Sequence, residues 1–212
     1  MNASSFVPLA ISFLGLYVLL AGALSSSWNS GTHYAPIQKA TVVMFVLQGV
    51  AHAFMGRRSI PARLISCVVA ICVIGTMHGL LLAQALTVLG VVEPTTHSKY
   101  EVALQGMPSI GTILGFILLA CAVILHHVQA TCRTVVGVHL LAAGLGLVAL
   151  IGYAWDVPGF YWDSNTFSGA MSPFTAAFLF LLGVWGVWRT DADHRGHKRA
   201  RVDRIPRRVS VK

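Results

Sequence analysis

Residues 64–90 read LISCVVAICVIGTMHGLLLAQALTVLG, and this stretch contains no aspartate, glutamate, lysine or arginine. A helix needs about 20 mostly apolar residues to cross the hydrocarbon core of a bilayer, so this stretch is long enough to span a membrane. Its apolar residues would surround the whole helix instead of following one stripe, which is typical of a helix with lipid neighbours. The stretch therefore predicts a transmembrane helix.

Five further stretches of the chain have the same character. Only 10% of the 212 residues are charged and 56% are hydrophobic, whereas a soluble domain carries about 25% charged residues because its surface must face water. The predicted fold is an all-α membrane bundle of six transmembrane helices over residues 1–188, followed by a basic tail at residues 189–212. The six spans cover approximately residues 6–26, 38–55, 64–90, 110–128, 135–154 and 170–188.

The positive charges fall on one side of this arrangement. Of the 15 lysines and arginines, only Lys39, at the outer end of the second span, and Lys99 lie on the side of the first, third and fifth connections. Lysine and arginine collect in cytoplasmic loops, so the second connection, the fourth connection and the tail are predicted to be cytoplasmic. With six spans, the N-terminus is then expected outside. Residues 1–10 lack the basic residues of a signal peptide, so a cleaved first span is the less favoured alternative.

A short phrase repeats at the beginning of the second, fourth and sixth spans. Each copy has a threonine, an apolar residue four positions later, a leucine six positions later and a small residue eight positions later. The threonine and small residue are Thr41 and Gly49, Thr112 and Ala120, and Thr175 and Gly183. These positions share one stripe of a helix, and a small residue there allows close packing of a neighbouring helix. We interpret the phrase as the mark of three repeated helical hairpins, with chance similarity between apolar spans as the alternative.

The third hairpin resembles a known family. Residues 150–162 read LIGYAWDVPGFYW, and residues 169–183 read GAMSPFTAAFLFLLG. A Gly-Tyr pair, a loop with aromatic residues and proline, and then Met-Ser-Pro-x-Thr-Ala resemble the N-terminal membrane sensor regions of bacterial histidine kinases and diguanylate cyclases, best over residues 145–185. The resemblance implies a sensory role at the bacterial inner membrane. The residues after the last span are too few for a kinase or cyclase domain, so we expect a sensory or accessory subunit that works with other membrane proteins.

The sequence lacks the common motifs of catalysis. It contains no HExxH, no GxSxG and no phosphate-binding glycine loop, and no pair of carboxylates lies within the spans. The cysteines Cys67, Cys72, Cys121 and Cys132 do not form a CxxC pair, so neither a metal site nor a redox pair is indicated. We therefore expect a protein that is not an enzyme and that holds no cofactor.

Histidines favour one alternative to that expectation. His52, His126 and His139 each lie near the predicted inner end of a span, where His52 could face either of the other two. Two imidazoles that face each other across a bundle can hold a haem iron through their axial nitrogens. The alternative function is a haem b-binding electron-transfer subunit. Neutral histidines that form hydrogen bonds between helices are the commoner explanation of such residues.

A second candidate site lies in the outer loop between the fifth and sixth spans. The loop combines aromatic residues with two acids, in the set Tyr153, Trp155, Asp156, Tyr161, Trp162 and Asp163. Acids among aromatic rings can bind a cation, a sugar-like ligand or an amine, or contact a partner protein. The alternative is an aromatic belt at the membrane interface, where tryptophan and tyrosine normally collect.

The remaining expectations concern partners. The lipid bilayer surrounds the spans, and the basic tail would attract anionic lipid at the cytoplasmic surface. Membrane topology explains the positive charge of the tail, so nucleic acid is not a predicted partner. A small transporter or channel is a third possible function, supported only by the hairpin repeat, because the spans lack the aspartate or glutamate of a proton relay.

Overall fold

The computed structural model of the chain is all-helical, and it describes residues 6–24, 39–57, 59–89, 108–161 and 170–203. The prediction of an all-α fold is confirmed for these residues, which contain six α-helices and one 3₁₀ turn. The helices are α1 (Phe6–Leu24), α2 (Lys39–Phe54), α3 (Ile60–Val88), α4 (Ile110–His127), α5 (Cys132–Trp155) and α6 (Pro173–Asp203), and the 3₁₀ turn is Pro158–Tyr161.

Within the described ranges, four of the helices are long and apolar enough to cross a membrane. Their candidate spans are Ile60–Leu86 in α3, Ile110–His127 in α4, Cys132–Trp155 in α5 and Pro173–Gly196 in α6. The apolar segments described in α1 and α2 are shorter, at Phe6–Tyr17 and Ala40–Phe54. Four helices therefore have the length and apolar composition of membrane spans, as predicted from the sequence, and the count of six spans stays a prediction.

Side chains just outside the helices determine where α4 and α5 begin. Ser109 Oγ accepts the backbone N–H of Thr112 at 3.1 Å, so α4 begins directly after this serine, as predicted. Thr131 Oγ1 accepts the backbone N–H of Thr134 at 3.2 Å in the same way. Because of that cap, α5 begins a few residues earlier than its apolar run suggested. The start of α3 is also earlier, since Pro61 is tolerated in a first helical turn, where a backbone N–H has no partner to lose.

The last helix continues well beyond its apolar segment. The predicted span ended at Trp188, but α6 remains helical to the end of its described residues. Two ion pairs one turn apart support this polar extension: Arg189 with Asp193 at 3.4 Å, and Arg195 with Asp191 at 2.6 Å. Hydropathy therefore located the end of the apolar segment, whereas the helix itself extends further.

The centre of the bundle is aromatic and apolar. The Phe45 ring of α2 lies 4.6 Å from the Phe116 ring of α4 and 4.8 Å from the Phe178 ring of α6, measured between centroids. These tilted and edge-to-face arrangements are those that aromatic pairs prefer. The three rings place α2, α4 and α6 around a common core.

Large apolar side chains are exposed along α3, which distinguishes the fold from that of a soluble bundle. Leu64, Val68, Ile71 and Leu82 are all more than half exposed. The polar Ser66 of the same helix instead points inward, and its hydroxyl donates to the Ala51 carbonyl of α2 at 2.8 Å. Apolar residues outside and satisfied polar residues inside are what a bilayer environment requires.

Candidate functional site

The threonines of the repeated phrase are buried in all three copies. Thr112 Oγ1 lies 2.8 Å from Ser109 Oγ, and Thr175 Oγ1 lies 2.9 Å from Ser172 Oγ. In both copies the backbone N–H of the threonine donates to that serine oxygen at 3.1 Å. Thr41 occupies the same place in the phrase, but the residues that precede α2 lie outside the described part of the chain. Two of the three hairpins thus have the same cap.

In the same two hairpins, a side chain of the first helix donates a hydrogen bond to a backbone carbonyl oxygen at an equivalent position just before the second helix. Gln84 of α3 donates through Nε2 to the Pro108 carbonyl at 2.8 Å, and the Tyr153 hydroxyl of α5 donates to the Met171 carbonyl at 2.6 Å. Pro108 and Met171 each lie four positions before the threonine of the phrase. Tyr153, which the sequence assigned to an outer ligand or partner contact, is therefore placed where it holds the third hairpin together.

The small residues of the phrase lie at close helix contacts or in the core. A Cβ on Gly49 would meet the Pro8 carbonyl oxygen of α1 at 2.6 Å. A Cβ on Gly183 would meet the Ala143 Cβ and the His139 carbonyl oxygen of α5, both at 2.8 Å. Ala120 is fully buried in the core. The two glycines thus each face the helix that precedes their own, without a gap for a larger side chain.

The outer loop is described only in part. Trp155 is 71% exposed, and Asp156 is an exposed residue that ends α5 in a left-handed conformation with φ 54°. The backbone of Tyr161 closes the 3₁₀ turn. Trp162 and Asp163 lie outside the described residues. The structure therefore places Trp155 and Asp156 at the surface and leaves their proposed contact with a ligand or partner untested.

Two predicted histidines meet in the interior of the bundle. His52 of α2 and His139 of α5 are both fully buried, and their ring centroids lie 5.7 Å apart with an interplanar angle of 79°. The Trp185 ring of α6 lies 5.8 Å from His52. A Cβ added at Gly186 would collide with Nε2 and Cδ2 of the His139 ring, so only glycine fits at that position. These four residues form what we call the histidine pair site.

The hydrogen bonds of the pair determine its tautomers. His52 Nδ1 lies 2.9 Å from the Gln48 carbonyl oxygen, and His139 Nδ1 lies 3.0 Å from the Val135 carbonyl oxygen. A carbonyl oxygen can only accept, so each Nδ1 donates its proton and each Nε2 holds a lone pair. The Gln48 side-chain amide is also 3.2 Å from His52 Nδ1, and its oxygen can share that proton because the two ends of an amide are interchangeable by rotation.

Both Nε2 atoms are buried and have no hydrogen-bond partner among the described residues. A buried acceptor without a partner costs about 1–3 kcal/mol. The two lone pairs cannot satisfy each other, since neither nitrogen carries a proton. The arrangement therefore suits an electron-pair acceptor, such as a metal centre, or a proton donor.

His126, the third predicted haem ligand, lies elsewhere. It faces Asp193 of α6, with 3.8 Å between Nε2 and Oδ2, at the end of the bundle where α2 and α4 finish and α3 and α5 begin. We call this end the basic end, because Arg57 and Arg63 lie there. Of the two partners that the sequence allowed for His52, the structure brings His139 to it.

The basic end contains a cavity that the sequence did not indicate. Its volume is about 580 Å³, which is within the range of ligand pockets. Its polar lining residues are Arg57, Arg63, His126, His127, Gln129, Thr190, Asp193 and His194. These lining residues come from four separate parts of the chain, so no short sequence motif could have predicted the cavity. The one sequence feature near this cavity was the polar segment after the last apolar span, which supplies Thr190, Asp193 and His194.

The described residues contain no group of three or more histidine, cysteine, aspartate or glutamate side chains that could hold a metal ion. The histidine pair site therefore offers two imidazole nitrogens and no carboxylate or thiolate. Sequence reasoning missed Trp185 and Gly186 of that site, and also Gln48, the hydrogen-bond partner of His52. Gln48 is the one with a signal, because it lies one helical turn before His52.

Comparisons with known proteins found no match. No protein-family model, no curated protein and no solved structure matches the chain. The residues and their geometry are therefore the basis for proposing a function.

Proposed function

We propose that the chain is a six-span module of the bacterial inner membrane, without enzymatic activity, that acts as a sensory or accessory subunit of a membrane complex. The observation that carries this proposal is the continuous last helix. α6 runs unbroken from Pro173 in the bundle to Asp203, beyond the basic end. An unbroken helix is rigid over its whole length, so a shift or rotation inside the bundle moves its far end as well.

The contacts of α6 support such coupling. At Gly183 and Gly186 the helix packs so closely against α5 that a side chain would not fit between the two helices. Trp185 faces the buried histidine pair, and Thr190 and Asp193 line the cavity at the basic end. A ligand or structural change at either place would therefore act directly on the helix that leaves the bundle.

Six spans and the predicted orientation belong to the proposal. The helices α1 and α2 complete the bundle on the side of α3 and α6, and the arginine-rich end would face the cytoplasm. The caps shared by the second and third hairpins support the three-hairpin repeat. In this orientation the far end of α6 is available to a cytoplasmic partner.

A chimera would test the signalling role. A diguanylate cyclase catalytic domain is attached after Asp203, and alanines are inserted at the junction one at a time over about two helical turns. If α6 transmits rotation, cyclase activity should rise and fall with a period of about 3.6 inserted residues. An output that ignores the insertions would reject the sensory role. The control is the same series attached to an unrelated single transmembrane helix.

The histidine pair site favours a second candidate, a haem b-binding electron-transfer subunit. Two buried imidazoles whose Nε2 atoms have no hydrogen-bond partner among the described residues are the type of axial ligand that a haem iron takes. A free divalent ion fits less well, because no anionic side chain accompanies the pair and burying uncompensated charge is costly. The porphyrin would bring its own negative charge.

A visible absorption spectrum of the purified chain tests this second candidate. A haem held by both histidines should give a Soret band that is lost in His52→Ala and in His139→Ala. His78→Ala is the matched control, because His78 is exposed on α3 and its Nδ1 bonds to the Ile74 carbonyl of its own helix at 2.9 Å. A chain expressed with ample haem that shows no Soret band would remove this candidate.

A further inference from the structure

The cavity at the basic end belongs neither to the histidine pair site nor to the outer loop. The geometry points to a binding site there for the phosphate group of an anionic ligand, with Arg57 and Arg63 as its main contacts. This inference goes beyond the proposed function, and it rests on the proposed topology only in placing the cavity at the depth of the cytoplasmic lipid headgroups.

Neighbouring groups hold the side chains of Arg57 and Arg63 in place. Arg63 Nη2 donates to the His127 carbonyl at 3.0 Å, and the Arg57 guanidinium lies 5.2 Å from the centre of the Phe54 ring. Both partners are uncharged. Among the described residues neither arginine forms an ion pair, so the positive charges are oriented without being neutralised. A guanidinium in this state suits the paired oxygens of a phosphate.

The described lining of the cavity contains a single acidic residue. Asp193 is the one carboxylate among the described lining residues, and it is already engaged. Its Oδ2 lies 3.4 Å from Arg189 Nε and 3.8 Å from His126 Nε2. Gly56, with φ 77°, has no side chain to obstruct Arg189 and Asp193 where they pack over the end of α2. Among the described residues this carboxylate forms no ion pair with Arg57 or Arg63, and the two arginines outnumber the single acid in the lining.

Two residues that line the cavity carry buried polar atoms. His127 is 7% exposed and Thr190 is 5% exposed, and both line the cavity. His127 Nε2 and Thr190 Oγ1 have no hydrogen-bond partner within the described part of the chain. A hydroxyl and an imidazole N–H are both donors that a phosphate oxygen can accept from. The lining thus provides two fixed charges and two unused polar groups.

Two sources could supply the phosphate. One is the headgroup of an anionic phospholipid, whose acyl chains would lie against the apolar surface above the cavity. The other is a soluble phosphate compound that enters from the cytoplasm. The chemistry recognised by the arginines is the same in both cases, so the sources are distinguished by experiment.

The experiment measures binding to the purified full chain in a neutral detergent by native mass spectrometry. One arm adds phosphatidylglycerol, with zwitterionic phosphatidylcholine as comparison, and the other arm adds inorganic phosphate. Each arm is repeated with Arg57→Gln, Arg63→Gln and Arg133→Gln. Arg133 is the matched control, because it is an exposed arginine near the same end that does not line the cavity.

We expect the two cavity variants to bind the effective probe about tenfold or more weakly than the wild type, and the control within about twofold. Binding of phosphatidylglycerol alone identifies a lipid headgroup, and binding of inorganic phosphate identifies a soluble ligand. Arg57→Gln decides the outcome if Arg63→Gln fails to fold, since the Arg57 side chain, unlike that of Arg63, makes no described hydrogen bond to the backbone. The site is overturned if neither probe binds the wild type, or if Arg133→Gln weakens binding as much as Arg57→Gln. Either failure would leave the topology and the role of α6 intact, because those are measured separately.

Discussion

Replacing Gly183 with alanine should separate α5 from α6, and the size of the effect follows from the contact geometry. The new Cβ would lie 2.8 Å from both the Ala143 Cβ and the His139 carbonyl oxygen. Real Cβ atoms do not approach other atoms so closely, and neither neighbour is the end of a flexible side chain that could turn away. The helices must therefore move apart, and overpacking of this kind costs about 1–3 kcal/mol.

The matched control is Gly144→Ala in α5, where a Cβ would meet nothing within 4 Å. Glycine and alanine differ in helix propensity by about 1 kcal/mol, and this difference applies to both sites. Subtracting the control therefore isolates the packing cost. We expect Gly183→Ala to be less stable than Gly144→Ala by about 1–3 kcal/mol.

The assay is reversible unfolding in mixed micelles, with the loss of helical circular dichroism followed as the denaturing detergent increases. The difference in midpoint, multiplied by the common slope, yields the free energy difference. Equal midpoints for the two variants would refute the close contact between α5 and α6. A loss of stability in Gly144→Ala alone would also contradict it.

Three other predictions concern topology, the outer loop and the third hairpin. A reporter fused after Lys212 should be cytoplasmic and one inserted near Ser98 periplasmic; finding both on one side would exclude the six-span arrangement. Asp156→Asn or Asp163→Asn should weaken the retention of a partner, or the signalling output, at unchanged expression. If the acid is desolvated in the contact, its loss should cost about 2–5 kcal/mol of binding free energy. Wild-type behaviour of both variants would mean that the loop is only an aromatic belt at the membrane interface. Tyr153→Phe removes the hydrogen bond that closes the third hairpin, and the same unfolding assay should show a loss of about 0.5–1.5 kcal/mol. No loss would mean that this bond does not stabilise the hairpin.

Much of the fold could be predicted from the sequence because membrane insertion depends on local properties. An uncharged run such as residues 64–90 must be helical in lipid, where every backbone N–H and carbonyl needs a partner within its own segment. Helix starts were less accurate, since they depend on single capping side chains such as Thr131. The end of α6 was missed because hydropathy reports where lipid contact stops, whereas ion pairs such as Arg189 with Asp193 continue the helix in water.

The candidate sites could be predicted only in part. The sequence indicated that His52 lies at the same depth as two other histidines, because depth follows from the distance to the end of a span. It could not select His139 over His126, since that choice depends on the rotation of each helix about its axis.

By itself, the sequence determined that this chain is helical, apolar on its outside and basic at one end, because hydropathy and charge are properties of single segments. The tertiary structure alone decided which side chains meet. Helix rotation and spacing are set by close contacts between segments far apart in the chain, such as Gly183 and Gly186 against α5. Those contacts bring two bare imidazole nitrogens together in the core, and they leave a cavity between Arg63 and Thr190 at the basic end.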